Sequence, residues 1–115
     1  MKNSDILKSF YAAMEKHDWT AKRALMRDDF RFRGPLMQAN SADEFIAALK
    51  QMNCAMKFED IEMLEQGDVV MCFFTCVMIQ PAPMNFRVAE RVKIHAGKIQ
   101  SSEILYDARA FPPMN

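Results

Sequence analysis

Beyond about residue 55 the chain stops repeating at helical spacing and alternates with a period of two. This change limits the possible folds more than any other feature. Four strand-like stretches, 56–65, 69–80, 85–95 and 98–108, are cut by the turn signals Gln66–Gly67–Asp68, Pro81–Ala82–Pro83 and Ala96–Gly97. Ahead of them the apolar residues recur at three and four. Ser4 is placed to cap a helix carrying Ile6, Leu7, Phe10 and Met14 through about residue 16, and Asp18 a short second one carrying Trp19, Ala24 and Leu25. The clearest start signal is the capping box Ser41–Ala42–Asp43–Glu44, followed by Phe45, Ile46, Leu49 and Met52. A short strand at 30–34 lies between the second and third helices. Helices first and a four-strand meander afterwards predict an α+β fold, with the helices packed on one face of an antiparallel sheet.

One residue breaks the strand pattern. In the stretch FRVAERVKI, residues 86–94, Phe86, Val88, Val92 and Ile94 share one face and Arg87, Arg91 and Lys93 the other, which leaves Glu90 on the apolar side. A carboxylate buried there is costly unless it is paired or protonated. Pairing with Arg33 or Arg109 would make it structural; a cavity on that face would make it functional.

Length and charge narrow the function. A chain of 115 residues can bury one core, and we read 1–115 as one domain. Fifteen acidic and fifteen basic residues leave no basic excess for nucleic acid or an anionic membrane, which favours a small molecule or a protein as partner. The N-terminal stretch has no apolar core of a signal peptide, and the longest apolar run, 69–79, is too short for a membrane helix; both predict a cytoplasmic protein. Cys54, Cys72 and Cys76 are odd in number and lack ligand spacing, so the expectation is buried thiols, with no metal and no cofactor. His17 and His95 form no catalytic spacing with a nucleophile. Eleven methionines suit either a pliable pocket or an irregular core. The run 69–79 is apolar on both faces, so its outer face needs a cover, and the simplest cover is a second copy: a homodimer through the sheet.

Four stretches, FYAAMEKHDW, ALMRDDFRFRGPL, ERVKIHAGKI and EILYDARAF, spread over nearly the whole chain, resemble the nuclear transport factor 2-like superfamily, which includes ketosteroid isomerase and SnoaL-like polyketide cyclases. The resemblance implies a cone-shaped fold whose helices and curved sheet enclose an apolar pocket. Phe10, Met14, Trp19, Phe32, Gly34, Val88 and Val92 are the residues expected to line it. It implies that Glu90 takes the place of the isomerase's protonated acid, a worked case of a carboxylic acid kept neutral in an apolar site. The isomerase's aspartate base corresponds to Gly34 and its tyrosine to Phe10, so neither is retained, while Tyr11 points about 100° away from Phe10 around the helix. By similarity to the cyclases, Asp107 in LYDAR is the candidate acid–base. The functional expectation is an isomerase- or cyclase-like enzyme acting on a small apolar carbonyl compound, with Glu90 as neutral donor and Asp107 as base. The alternatives are a non-catalytic hydrophobic-ligand binder and a protein-interaction module.

Overall fold

A computed structural model describes residues 2–109 and 111. Three helices, α1 (Asn3–Lys16), α2 (Trp19–Ala24) and α3 (Ala42–Gln51), pack on a six-stranded sheet. Its strands are β1 (Met26–Arg33), β2 (Gln38–Ala39), β3 (Ala55–Gln66), β4 (Val69–Gln80), β5 (Met84–His95) and β6 (Lys98–Leu105), in spatial order β2-β1-β6-β5-β4-β3. The sheet is curved and unclosed. Among the described residues no helix is long and apolar enough to cross a membrane.

The meander from β3 to β6 follows the turn signals. His95 pairs with Lys98, leaving Ala96 and Gly97 as a two-residue loop with φ of 52° and 80°. Positive φ at both positions is what the tight hairpin turn compatible with strand twist demands. The sheet is mixed, not antiparallel throughout, because β1 runs parallel to β6. After β1 the chain leaves through β2 and α3, builds the meander from the far edge inward, and returns beside β1 in the same direction. β1 also begins at Met26, earlier than the expected 30: Met26 pairs with Ile99, and after an irregularity that spans Arg27, Asp28 and Asp29 the ladder resumes at Arg31 and Ser101.

Two of the three expected caps form. Asp18 accepts from the Ala21 amide at 3.1 Å and Ser41 from the Glu44 amide at 3.1 Å. Ser4 instead lies inside α1, and its own amide donates to Glu65 of β3 at 2.8 Å. A side chain from the sheet thus satisfies a helix-start N–H that a local cap would otherwise take.

Burial along β4 alternates. Val70, Cys72, Phe74 and Cys76 face the helices, while Met71 and Phe73 face outward and are exposed. The outer face carries the cross-strand row Glu62, Phe73, Ala89 and Leu105, beside the row Leu64, Met71, Arg91 and Glu103. On the inner face the closed core gathers at one end of the sheet, where Leu7, Met26, Val70, Val92, Ile94 and Ile99 are at most 1% exposed. Toward the other end the helices and sheet diverge around a cavity.

Candidate functional site: a buried acid at the floor of an apolar cavity

The cavity has a volume of about 470 Å³. Its walls come from almost every element: Phe10, Tyr11 and Met14 of α1, Phe32 of β1, Phe45 and Leu49 of α3, Phe58 of β3, Phe74 and Cys76 of β4, and Phe86 and Val88 of β5. Tyr106 and Phe111, beyond β6, pack on Phe86 with ring centroids 5.1 and 4.9 Å away and add a further wall. Met14, Met37, Met52, Met56, Met78 and Met84 also line it, so most of the chain's eleven methionines sit where unbranched thioethers can repack around a guest.

Glu90 is the last residue of β5 to reach this space. Met84, Phe86, Val88 and Glu90 line it in turn, and the next inward residues, Val92 and Ile94, belong to the closed core. Glu90 as a whole is 5% exposed. Tyr11 donates its hydroxyl to Oε1 of Glu90, and Ser102, on the neighbouring strand β6, donates to Oε2. Neither Arg33 nor Arg109 pairs with it: Arg33 is exposed and Arg109 is bound to Asp107. Burial pushes the Glu90 carboxyl above its ordinary range, and the two hydroxyl donors and the charge of Lys22 pull the other way. Burial, then the charge of Glu90, raises the Tyr11 phenol as well.

Phe10 and Tyr11 both reach the cavity because α1 lies in the mouth of the curved sheet, with walls on more than one side. Tyr11 stacks on Phe58 at 4.3 Å between centroids and 15° between planes, and tilts against Phe74 at 5.3 Å. Those contacts aim its hydroxyl at Glu90. A tyrosine thus meets the acid from the position after the one that sequence comparison assigned to it.

Lys22 is the charged residue that the sequence did not single out. It is 3% exposed, and its Nζ lies 3.3 Å from the centroid of the Phe10 ring and 5.7 Å from that of Phe45. Burial lowers the ammonium to about 7, opposed by the charge of Glu90. The ring faces also favour the cation.

The other expected residues fall into two groups. Phe10, Met14, Phe32 and Val88 line the cavity; Trp19, Gly34 and Val92 do not. Trp19 is half-buried at the edge of the core, stacked on His17 beside Arg23 and Asp43, because the α2 residue turned into the cavity is Lys22. Gly34 has no open space: a Cβ there would stand 3.0 Å from Cγ1 of Ile104. Val92 lies below the cavity floor, at 1% exposure. Asp107 follows the end of β6 and is exposed. Arg109 grips it with Nε at 2.9 Å, a terminal guanidinium nitrogen at 2.7 Å and its backbone amide at 3.0 Å. These bonds hold the carboxylate down at about 2, which suits a structural anion better than a base. Among the described residues no cluster of three histidine, cysteine or acidic side chains could hold a metal ion. The three cysteines are buried and unpaired, and burial raises Cys72 to about 11 and Cys76 to about 12.

A family model described as a SnoaL-like domain matches residues 7–102. The chain belongs to the SnoaL-like family. Solved structures share its fold. One is an NTF2-like protein of unknown function from Cytophaga hutchinsonii, 17% identical, with a TM-score of 0.82 over 95% of this chain and 93% of that one. A proposed polyketide cyclase from Pseudomonas putida is 20% identical, with a TM-score of 0.80 over 93% and 92%. An LEH-like epoxide hydrolase from M. tuberculosis is 19% identical, with a TM-score of 0.79 over 90% and 81%. Likeness at these identities carries the fold and leaves the reaction open. Among curated protein sequences none matches significantly. The SnoaL-like fold accounts for the cone of helices over a curved sheet, and the residues inside the cone are this chain's own.

Proposed function

We propose that this SnoaL-like protein binds a small apolar carbonyl compound, with the carbonyl oxygen at Tyr11 and Glu90 and the rest of the molecule against the aromatic and methionine walls. The observation that carries this reading is the Tyr11–Glu90–Ser102 cluster, a buried and fully hydrogen-bonded acid at the floor of an otherwise apolar cavity. A protonated Glu90 frees the Tyr11 hydroxyl or its own O–H to donate to a guest oxygen, and a donor in apolar surroundings is worth more than the same donor in water. Donation to that oxygen polarises the carbonyl and stabilises an enolate, the step shared by isomerase- and cyclase-type proton transfers. Structural neighbours named a proposed polyketide cyclase and a proposed ketosteroid isomerase agree with that chemistry.

Binding without turnover is the second reading. Its support is specific: the resemblance puts Gly34 at the position of the isomerase's base, a Cβ at Gly34 would meet Ile104 at 3.0 Å, and Asp107 is outside the cavity and fixed by Arg109. A thermal-shift screen against apolar ketones, enones and polyketide-like aromatics, run on the wild type, Tyr11→Phe and Glu90→Gln, tests both. A guest at ~100 times its dissociation constant adds about 2.7 kcal/mol. Stabilisation that shrinks in both variants supports the carbonyl site, and turnover of the same compounds then separates enzyme from binder. Equal shifts in all three proteins would sink it.

We also propose that two copies pair through the outer sheet face. Phe73, Met71, Leu64 and Leu105 form its apolar patch, and Arg91 with Glu62 and Glu103 offers both signs of charge to a two-fold partner.

A further inference from the structure

Lys22 takes no part in the Tyr11–Glu90–Ser102 cluster, yet it is the one lysine removed from water; every other lysine is exposed. Among the described residues its ammonium makes no hydrogen bond and no salt bridge, and no side-chain nitrogen or oxygen fully sealed from solvent lacks a partner. Its Nζ therefore opens on the cavity that its side chain lines, with the Phe10 ring behind it. A buried lysine kept only for packing would be better served by methionine or leucine, since the charge costs free energy that nothing here returns through an ion pair in contact.

We infer that Lys22 is a nucleophilic amine that captures the aldehyde or ketone group of the cavity's ligand as an imine, with Glu90 moving the protons. The inference rests on the carbonyl-binding reading above and adds a covalent step to it. The Nζ lone pair attacks the carbonyl carbon, the C–N bond forms, and the carbonyl π pair moves to oxygen. Glu90 as acid protonates that oxygen and as carboxylate takes a proton from nitrogen, giving the carbinolamine. Glu90 then protonates the hydroxyl, water leaves, and the nitrogen lone pair closes the C=N bond of an iminium beside the carboxylate. No oxidant or reductant is consumed. The iminium draws electrons from the adjacent carbon, which supplies activation where the family's base position holds Gly34.

The amine must be unprotonated to attack, and its surroundings arrange that. Burial lowers it to about 7, whereas exposed lysines stay charged at neutral pH. The titratable groups sharing its cavity are Tyr11 from α1, Glu90 from β5, Cys54 and Cys76, and Tyr106. All of these are raised by burial, so the thiols and phenols stay neutral around pH 7, and Glu90 is the carboxyl that shares the cavity with Lys22. Neighbouring Arg23 points away, to Asp28 and Asp43.

The test incubates the whole protein with cinnamaldehyde and sodium cyanoborohydride between pH 5 and 9 and maps the products by peptide mass spectrometry. The expected result is a single adduct on Lys22, of the aldehyde's mass less one oxygen. It should appear with a midpoint near pH 7 and be at least about tenfold ahead of any exposed lysine at that pH, given the far smaller free-amine fraction of an exposed lysine. It should be absent in Lys22→Met. Thermal shifts with cinnamaldehyde and with cinnamyl alcohol, both without reductant, run alongside. A stabilising shift with no adduct on Lys22 overturns the imine and leaves the carbonyl site standing. No adduct and no shift overturns both, and labelling spread evenly over the lysines overturns the imine.

Discussion

Replacing Lys22 by methionine should stabilise the protein, and by an amount that depends on pH. The side chains are similar in reach, so methionine keeps the contacts with Phe10 and Phe45 and discards only the charge. Burial takes the amine from 10.5 to about 7. At 1.36 kcal/mol per tenfold, that displacement is worth roughly 4–5 kcal/mol against the folded ammonium, and attraction to the ring faces returns about 1 kcal/mol. The sign follows from proton binding. Between 7 and 10.5 the unfolded chain holds more protons than the folded one, so wild-type stability rises with pH across that window and the penalty is fully present below it. Lys22→Met should therefore gain roughly 3–4 kcal/mol at pH 6 and close to nothing at pH 10.5. Urea unfolding followed by circular dichroism at pH 6, 8 and 10, with equal slopes in both proteins, measures the difference. A loss of more than about 1 kcal/mol at pH 6, or a difference that does not change with pH, would refute the reasoning. It would mean that Lys22 is held as an ammonium by an ionised Glu90.

Glu90→Gln should improve relative to the wild type as the pH rises above 4.5, because an acid with a raised folded value loses stability through that range and an amide does not. Unfolding free energies at pH 5 and 7 check the sign, and a relative loss at pH 7 would place a carboxylate in the site. Gly34→Asp should cost about 1–3 kcal/mol, since its Cβ meets Ile104 at 3.0 Å; calorimetry showing no loss would mean that Ile104 yields freely. Asp107→Asn should leave ligand affinity in a titration within twofold of wild type, as its carboxylate is spent on Arg109 outside the cavity. Phe73→Glu should shift the sedimentation coefficient from dimer to monomer while the fold, read by circular dichroism, is kept.

The sequence exposed those parts of the site whose signal is local. Glu90 stood out because a period of two leaves no doubt about which face a strand residue takes. Its partners gave no such signal. Tyr11 reaches it only because of where α1 crosses the sheet, a tertiary placement that an angle measured around the helix does not contain. Ser102 is one small polar residue on a strand, and its meaning comes from lying across from Val92, two residues from Glu90 on the same face. Lys22 lies in a helix of six residues, too short to show an apolar stripe, and lysine is the residue type least expected inside. Asp107 was misplaced for a similar reason: β6 stops at Leu105, so strand phase no longer aims the residues after it. The parallel pairing of β1 with β6 joins segments about seventy residues apart, with no turn between them to announce it. In contrast, the capping box at Ser41 and the hairpin at Ala96–Gly97 were legible because a few neighbouring residues determine each.

The carbonyl-binding account depends on one contact, between the floor of the cavity and a guest's oxygen. Infrared difference spectroscopy of a carbon-13-labelled apolar ketone, chosen from the compounds that raise the melting temperature, reads that contact directly. The account predicts that the carbonyl stretch of the bound ketone falls below its value in an alkane solvent, and returns toward that value in Tyr11→Phe and Glu90→Gln. A bound ketone whose stretch equals the alkane value in the wild type would contradict it, because the oxygen would then lie against the apolar walls and not at Glu90.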